Sequence, residues 1–317
     1  MTESFTLMSG TVIQWKALIA RGRFEVFEAR DGARIRYAAW EPEGPVRGTV
    51  VFLNGRAEFI EKYVETIGEL LDRGFAVWAK DWRGQGLSAR LCPRKGHARS
   101  FDPLLCDLHQ FLIEIVRPNS AGPYLALAHS MGGHLVLRYL AEHPGFFSRA
   151  VLSAPMVGIQ TLGFPNLLVE GLAHLAVRFG FGDRYVPGMG DADPYQTAFA
   201  ENVLTSDPDR FRQTQILTEE NPALGLGGPT YGWMRAAFKS MRKTADPDYV
   251  RAIDVPVLFL SAGEERVVQN AAQERLSRRL AQGRFVSLAA SRHEILLEQD
   301  FVRARFWENF DRFTKPV

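Results

Sequence analysis

The chain has 317 residues, 46% hydrophobic and 23% charged, with 38 basic residues against 36 acidic ones for a formal charge of +2. That suits one large α/β domain, or a core domain carrying a sizeable insertion. The balanced charge, with no basic run interleaved with aromatics, argues against a nucleic-acid partner, and no run of about 18 apolar residues is present to span a membrane.

The first residues, MTESFTLMSGTVIQWKALIARGRF, lack a basic start, a continuous apolar core and a small-residue cleavage site. An intracellular, cytoplasmic soluble protein is expected, with peripheral contact at the inner face of a membrane left open. Cys92 and Cys106 belong to no CxxC pair and sit at no zinc-ligand spacing. Their expected role is structural or incidental, with a single bridge between them as the alternative.

Residues 24–40, FEVFEARDGARIRYAAW, read as two strands turned at Asp31-Gly32. GTVVFLNG (48–55) is a short apolar strand ending in Asn54-Gly55. Ile60, Tyr63, Val64, Ile67, Leu70 and Leu71 then recur at helical spacing, and Gly74 closes that helix. Strand FAVWAKD (75–81) is followed by the glycine-rich loop WRGQGLSAR. A helix over 101–116 leads to strand YLALA, a helix from about Gly133 to His143, and strand RAVLSAP (149–155). Late in the chain a strand at 255–263, a helix at 270–281, a strand at 284–288 and a last helix near 299–313 resume the alternation.

Strands apolar throughout, alternating with amphipathic helices, predict an α/β fold: a mostly parallel central sheet with helices on both faces. Chemistry in such sheets gathers beyond the carboxyl ends of the strands. Between about 157 and 240 the alternation stops. There NLLVEGLAHLAVRFGFG is apolar nearly all round, with Glu170, His174 and Arg178 forming a narrow polar stripe. The expected organisation is a core from 1–156 and 241–317, with a helical cap inserted at 157–240. The apolar helix would either line a tunnel for one acyl chain or form the cap's own core.

The segment YLALAHSMGGHLVL places one hydroxyl, Ser130, between an apolar run and two glycines. A serine hydroxyl attacks a carbonyl only when a base takes its proton and a third group orients that base. A tight strand-to-helix turn can project the serine above a sheet, provided the residues two before and two after it are small. Gly132 meets this need, and Ala128 adds only a methyl group. The alternative is a serine that caps the following helix.

An acid and then a histidine should follow the serine, each after a late strand. Glu264 and Glu265 lie just past one strand, and His293 lies in the loop after the next. Glu265 is preferred, with Glu264 as the alternative. Two backbone donors must also face the oxyanion of an acyl-transfer reaction. These are expected from Met131, after the serine, and from Arg56, just past Gly55. No metal and no organic cofactor is expected, since neither an HExxH pattern nor a nucleotide-binding glycine pattern occurs.

With LNGRAEFIEKY, DWRGQGLS, LAHSMGG, GEERVV and SRHEILLE in that order, the chain resembles the α/β-hydrolase superfamily. Within it the likeness is to the bacterial lysophospholipase and monoacylglycerol lipase branch. The resemblance spans roughly residues 25–313 and implies Ser130 as nucleophile, Glu265 as acid and His293 as base, with Arg56 and Met131 as the oxyanion hole. The chain departs from the pattern at Asn54, where monoacylglycerol lipases carry histidine, and at Ala128, where glycine is commoner. Asp81 and Arg83 read as braces of a loop. Arg90, Arg94, Lys95 and Arg99 form a local basic cluster, read as a solvated face or as a phosphate contact. The implied substrate is a small-molecule ester of one acyl chain, a lysophospholipid or monoacylglycerol. A broad small-ester hydrolase or peptidase-like member, and a non-catalytic ligand-binding protein of the same fold, are the competing readings.

Overall fold

A computed structural model describes residues 9–161, 163–191 and 198–315, and the side chains from residue 15 onward. Eight strands form a single sheet: β1 (Arg23–Glu28), β2 (Arg34–Trp40), β3 (Gly48–Leu53), β4 (Phe75–Lys80), β5 (Tyr124–His129), β6 (Arg149–Ser153), β7 (Val257–Ala262) and β8 (Gly283–Leu288). Their order across the sheet is β1-β2-β4-β3-β5-β6-β7-β8. β1 and β2 pair antiparallel, as do β2 and β4, and every later pairing is parallel.

The central strands are apolar throughout because both faces are covered. In β3, Val51 and Leu53 enter one hydrophobic core while Val50 and Phe52 enter the other, as the period of two demands. The helices are α1 (Ser9–Arg21), α2 (Val64–Asp72), α3 (Asp102–Gln110), the short α4 (Arg117–Asn119), α5 (Met131–Glu142), α6 (Asn166–Arg178), α7 (Pro208–Glu220), α8 (Tyr231–Ala245), the short α9 (Pro247–Val250), α10 (Asn270–Ser277) and α11 (Asp300–Thr314). Residues of α3, α5, α8 and α10 fill the first core, and residues of α2 and α11 fill the second.

The chain leaves β3 toward β4 on one side, whereas β5 lies on its other side. Loops that depart in opposite directions open a crevice at the carboxyl ends of adjacent strands. The loops after β3 and β5 flank that crevice, and they carry residues 54–58 and Ser130.

α1 has no counterpart among the predicted elements. It is tied to the sheet by Trp40, whose indole N–H donates to the Leu18 carbonyl at 2.9 Å. α8 runs unbroken across residue 240 and buries Trp233, Ala237, Phe238 and Met241 in the first core. Cys92 and Cys106 are free thiols, so the bridge considered from sequence does not form.

α6 differs from both expectations for it. Ala173 is its one buried residue, while Leu167 is 84% exposed and Leu168, Leu172 and Leu175 are each more than half exposed. The stripe residue Glu170 pairs with Arg242 of α8. The helix packs on the first core through Ala173 and Val169 and turns Glu170 of its stripe inward, while most of its leucine surface faces out. Among the described residues, no helix is long and apolar enough to cross a membrane.

Candidate active site

Ser130 occupies the one-residue junction between β5 and α5, with φ 49° and ψ −114°. A side chain in this region of positive φ is strained, and three backbone bonds hold it there. The Ser130 N–H donates to Ser153 O at 3.0 Å, while the Ser130 carbonyl accepts from His134 N–H at 3.1 Å and from Met156 N–H at 2.9 Å. Gly132 is required by space: a Cβ there would lie 2.3 Å from Leu53 O and 2.5 Å from Asn54 O. Ala128 is fully buried, opposite Leu53 and Leu152 on the neighbouring strands, and its methyl is accommodated.

The Ser130 hydroxyl makes no capping bond to α5. Instead its Oγ lies 2.9 Å from Nε2 of His293. Nδ1 of His293 lies 2.8 Å from Oε2 of Glu265. An ionised carboxylate only accepts, so Nδ1 carries the proton and Nε2 presents its lone pair to the serine hydroxyl. The second carboxylate oxygen, Oε1, accepts from the N–H groups of Val267 at 2.8 Å and Val268 at 3.2 Å. Burial pushes the Glu265 carboxyl up, but the His293 contact and the two amides outweigh it and leave its pKa below the usual value. Glu264 is exposed, and what it contributes is its amide, bonded to Ser291 O at 2.8 Å.

His129, beside the serine, is a structural neighbour. Its ring packs against that of His293 at 4.8 Å, and its Nδ1 lies 3.1 Å from Ser153 O. Burial, aided by the charge of a protonated His293, lowers its pKa to about 3, so it stays neutral.

Five backbone groups of residues 54–58, in the loop after β3, are held by neighbouring side chains. Gln85 Nε2 donates to the carbonyls of Gly55 at 2.6 Å and Glu58 at 2.9 Å, and Gln85 Oε1 accepts from Ala57 N–H at 3.2 Å. The Gly55 N–H donates to the Glu58 carboxylate, and Trp82 Nε1 donates to Asn54 O at 2.8 Å. The Arg56 N–H, by contrast, has no acceptor among the described residues, and neither has the Met131 N–H. Gly55 C=O and Arg56 N–H belong to one planar trans peptide, so they point in opposite directions. By fixing the carbonyl, Gln85 aims the amide. The Arg56 side chain reaches away: its guanidinium donates to Gly227 O at 2.6 Å and lies 5.2 Å over the Trp233 ring.

Asp81 braces this loop from below. Its carboxylate accepts from the amides of Ile60 at 3.0 Å and Leu87 at 2.9 Å and from Arg36 at 3.1 Å. Arg83 bonds Asp31 and Asp107. Of the four basic residues singled out from sequence, Arg90 and Arg94 line one cavity with Gly86, Leu87 and Pro222, while Arg99 is exposed. Arg90 is consumed by four carbonyls, those of Gly86, Pro93, Ala223 and Gly225. Lys95 bonds Asp183 O at 3.0 Å, and Arg94 is exposed beside Asp191. Among the described residues, no group of three or more His, Cys, Asp or Glu is arranged to hold a metal.

The family described as serine aminopeptidase, S33, matches residues 44–300. The chain belongs to this family. Among curated relatives of this S33 chain, lysophospholipase L2 of Escherichia coli K12 is 33% identical over 291 residues, covering 88% of this chain and 83% of the relative. Monoacylglycerol lipase of Mycolicibacterium smegmatis is 34% identical over 255 residues, covering 80% of this chain and 83% of the relative. Among solved structures, a soluble variant of monoglyceride lipase from Saccharomyces cerevisiae superposes with a TM-score of 0.72 at 20% identity, over 92% of this chain and 94% of that one. A carboxyl esterase from Bacillus coagulans gives 0.71 at 18% identity, over 92% and 97%. The S33 chain thus has the α/β-hydrolase fold that its motifs imply.

Several residues that hold this site were not singled out from sequence: Gln85, Glu58, Lys62, Glu294 and Glu298. Glu298 is fully buried and accepts from the Arg292 N–H at 2.7 Å and the Ser206 N–H at 3.1 Å, which fixes the loop carrying His293. The available signal was position alone, since each lies inside a segment already noted: LNGRAEFIEKY, DWRGQGLS or SRHEILLE.

Proposed function

We propose that the protein is a serine hydrolase that cleaves the carboxylic ester of a single-acyl-chain lipid, a lysophospholipid or a monoacylglycerol, through an acyl-enzyme. The observation that carries this reading is the relay Glu265–His293–Ser130, with contacts of 2.8 and 2.9 Å. Ser130 Oγ attacks the ester carbonyl while His293 Nε2 takes its proton, and Glu265 supports the imidazolium that results. The Arg56 and Met131 amides receive the oxyanion, Met131 from the positive end of α5. His293 then returns the proton to the leaving alcohol. Water activated by the same imidazole attacks the acyl carbon and releases the fatty acid.

The lipid substrate is supported by the relatives' names, lysophospholipase L2 and monoacylglycerol lipase. The test is fatty-acid release from lysophosphatidylethanolamine and from monoacylglycerol of equal chain length, with an aminoacyl p-nitroanilide as the peptidase control. Release from at least one lipid, with no cleavage of the anilide, is expected. Cleavage of the anilide alone would overturn the lipid reading.

The segment from residue 157 up to α8 acts as the cap over the strand ends, and α6 is its contact with a lipid surface. An outward face of Leu167, Leu168, Leu172 and Leu175, continued by the exposed Phe179 and Phe181, is an apolar patch of the kind that marks interaction sites. The exposed Arg178 and Arg184 near it match anionic head groups. Replacing both Leu167 and Leu175 by Glu is expected to weaken co-sedimentation with phosphatidylglycerol vesicles about tenfold or more. Turnover of a soluble short-chain ester should be unchanged. Undiminished vesicle binding would show that α6 is not the contact.

A further inference from the structure

Beneath the relay lies a charged cluster that the reaction above does not use. Lys62 is buried, and its Nζ lies 3.2 Å from Glu58 Oε1 and 2.5 Å from Glu294 Oε1. Both carboxylates are themselves buried. In sequence, Glu58 and Lys62 look like a solvated i,i+4 pair of modest value. In the fold they are removed from water together with a third charge from a loop more than 200 residues away.

Three buried charges are a costly way to fill space, since apolar side chains of similar volume would stabilise the fold equally or better. What the cluster supplies is a fixed distance between two loops. Glu58 belongs to the loop that presents the Arg56 amide. Its carboxylate accepts the Gly55 N–H, and its Oε1 accepts the Tyr63 hydroxyl at 2.8 Å. Glu294 is the residue after His293, and its own N–H is anchored on Leu204 O at 2.7 Å. The two carboxylates share one ammonium. Burial alone would lower the Lys62 pKa, but Glu294 and Glu58 outweigh it, and the ammonium stays charged.

Resting on the ester-hydrolase reading, we propose that Lys62 is a positioning residue: through Glu58 and Glu294 it sets the Arg56 amide at a fixed distance from His293. The base and the oxyanion donor sit on loops at opposite ends of the chain, and each must meet the same tetrahedral centre. A displacement of about 1 Å between such groups costs on the order of 100-fold in rate.

The test uses a soluble p-nitrophenyl ester and a trifluoromethyl ketone as reversible inhibitor. In the inhibited enzyme Ser130 Oγ bonds to the ketone carbon, its proton passes to His293, and the carbonyl oxygen becomes an oxyanion held by the hole. Lys62→Met and Glu294→Leu are expected to lower kcat about 30- to 100-fold with KM within about twofold. Affinity for the ketone should fall by the same factor as kcat, while Lys62→Arg and Glu294→Gln retain most of both. A role in stability alone would lower the folding midpoint without weakening the ketone relative to substrate. If Lys62→Met does not fold, Glu294→Leu decides, because it leaves the Glu58–Lys62 pair intact. A folded variant of either kind with kcat and ketone affinity within about threefold of wild type would overturn the proposal. Absence of ester turnover in the wild-type protein would count against the hydrolase reading instead.

Discussion

Ser130→Ala is expected to lower ester turnover by about 10⁴-fold or more, because loss of the nucleophile alone removes nearly everything the relay contributes. The fold should survive. The strained backbone at residue 130 is held by bonds from its own N–H and carbonyl to Ser153, His134 and Met156, which alanine keeps. The hydroxyl bonds His293 and does not cap α5. The expected result is therefore a variant with an unfolding midpoint within a few degrees of wild type and no measurable acyl-enzyme. Turnover within about tenfold of wild type in the pure variant would assign the chemistry elsewhere.

Glu265→Gln is expected to cost about 10³- to 10⁴-fold in kcat, and the geometry says why. In the wild-type protein one carboxylate oxygen accepts the amides of Val267 and Val268 while the other faces His293 Nδ1. A glutamine must give its oxygen to the two amides, so its NH₂ turns toward the histidine. Nδ1 then has to accept, which moves the ring proton to Nε2 and leaves no lone pair for the serine. Glu264→Gln, at an exposed position with only its backbone engaged, should change kcat by less than about threefold. Steady-state kinetics of the two variants side by side check both. A larger loss at 264 than at 265 would contradict the assignment of the acid.

The sheet was legible because a strand covered on both faces has little choice of residue, and β3 to β7 read as apolar runs. Ser130 stood out for a related reason. Only a glycine fits at 132, where a Cβ would meet the Leu53 and Asn54 carbonyls, so the steric demand of the turn is written into the sequence. The choice of Glu265 over Glu264 was a weaker inference, since adjacent residues differ only in which way the loop turns them.

Other features carried no such mark. α6 is apolar nearly all round, and its narrow stripe of Glu170, His174 and Arg178 did not indicate that its leucines would face outward. Glu58 and Lys62 have the spacing of an ordinary surface pair, and their burial depends on Glu294 arriving from the far end of the chain. Gln85 sat in a loop read only as glycine-rich, yet it orients the peptide that offers the Arg56 amide. The expected cap boundary at residue 240 falls inside α8, which buries Trp233, Phe238 and Met241. In each case the deciding contact is long-range, and local pattern is silent about it.

The central claim is that Ser130 is a nucleophile activated by His293. Its most direct test is labelling of the folded protein with a fluorophosphonate, followed by peptide mass mapping. A single adduct is expected on the peptide carrying Ser130, abolished by Ser130→Ala and strongly slowed by Glu265→Gln. No adduct on folded protein, or an adduct that persists in Ser130→Ala, would contradict it.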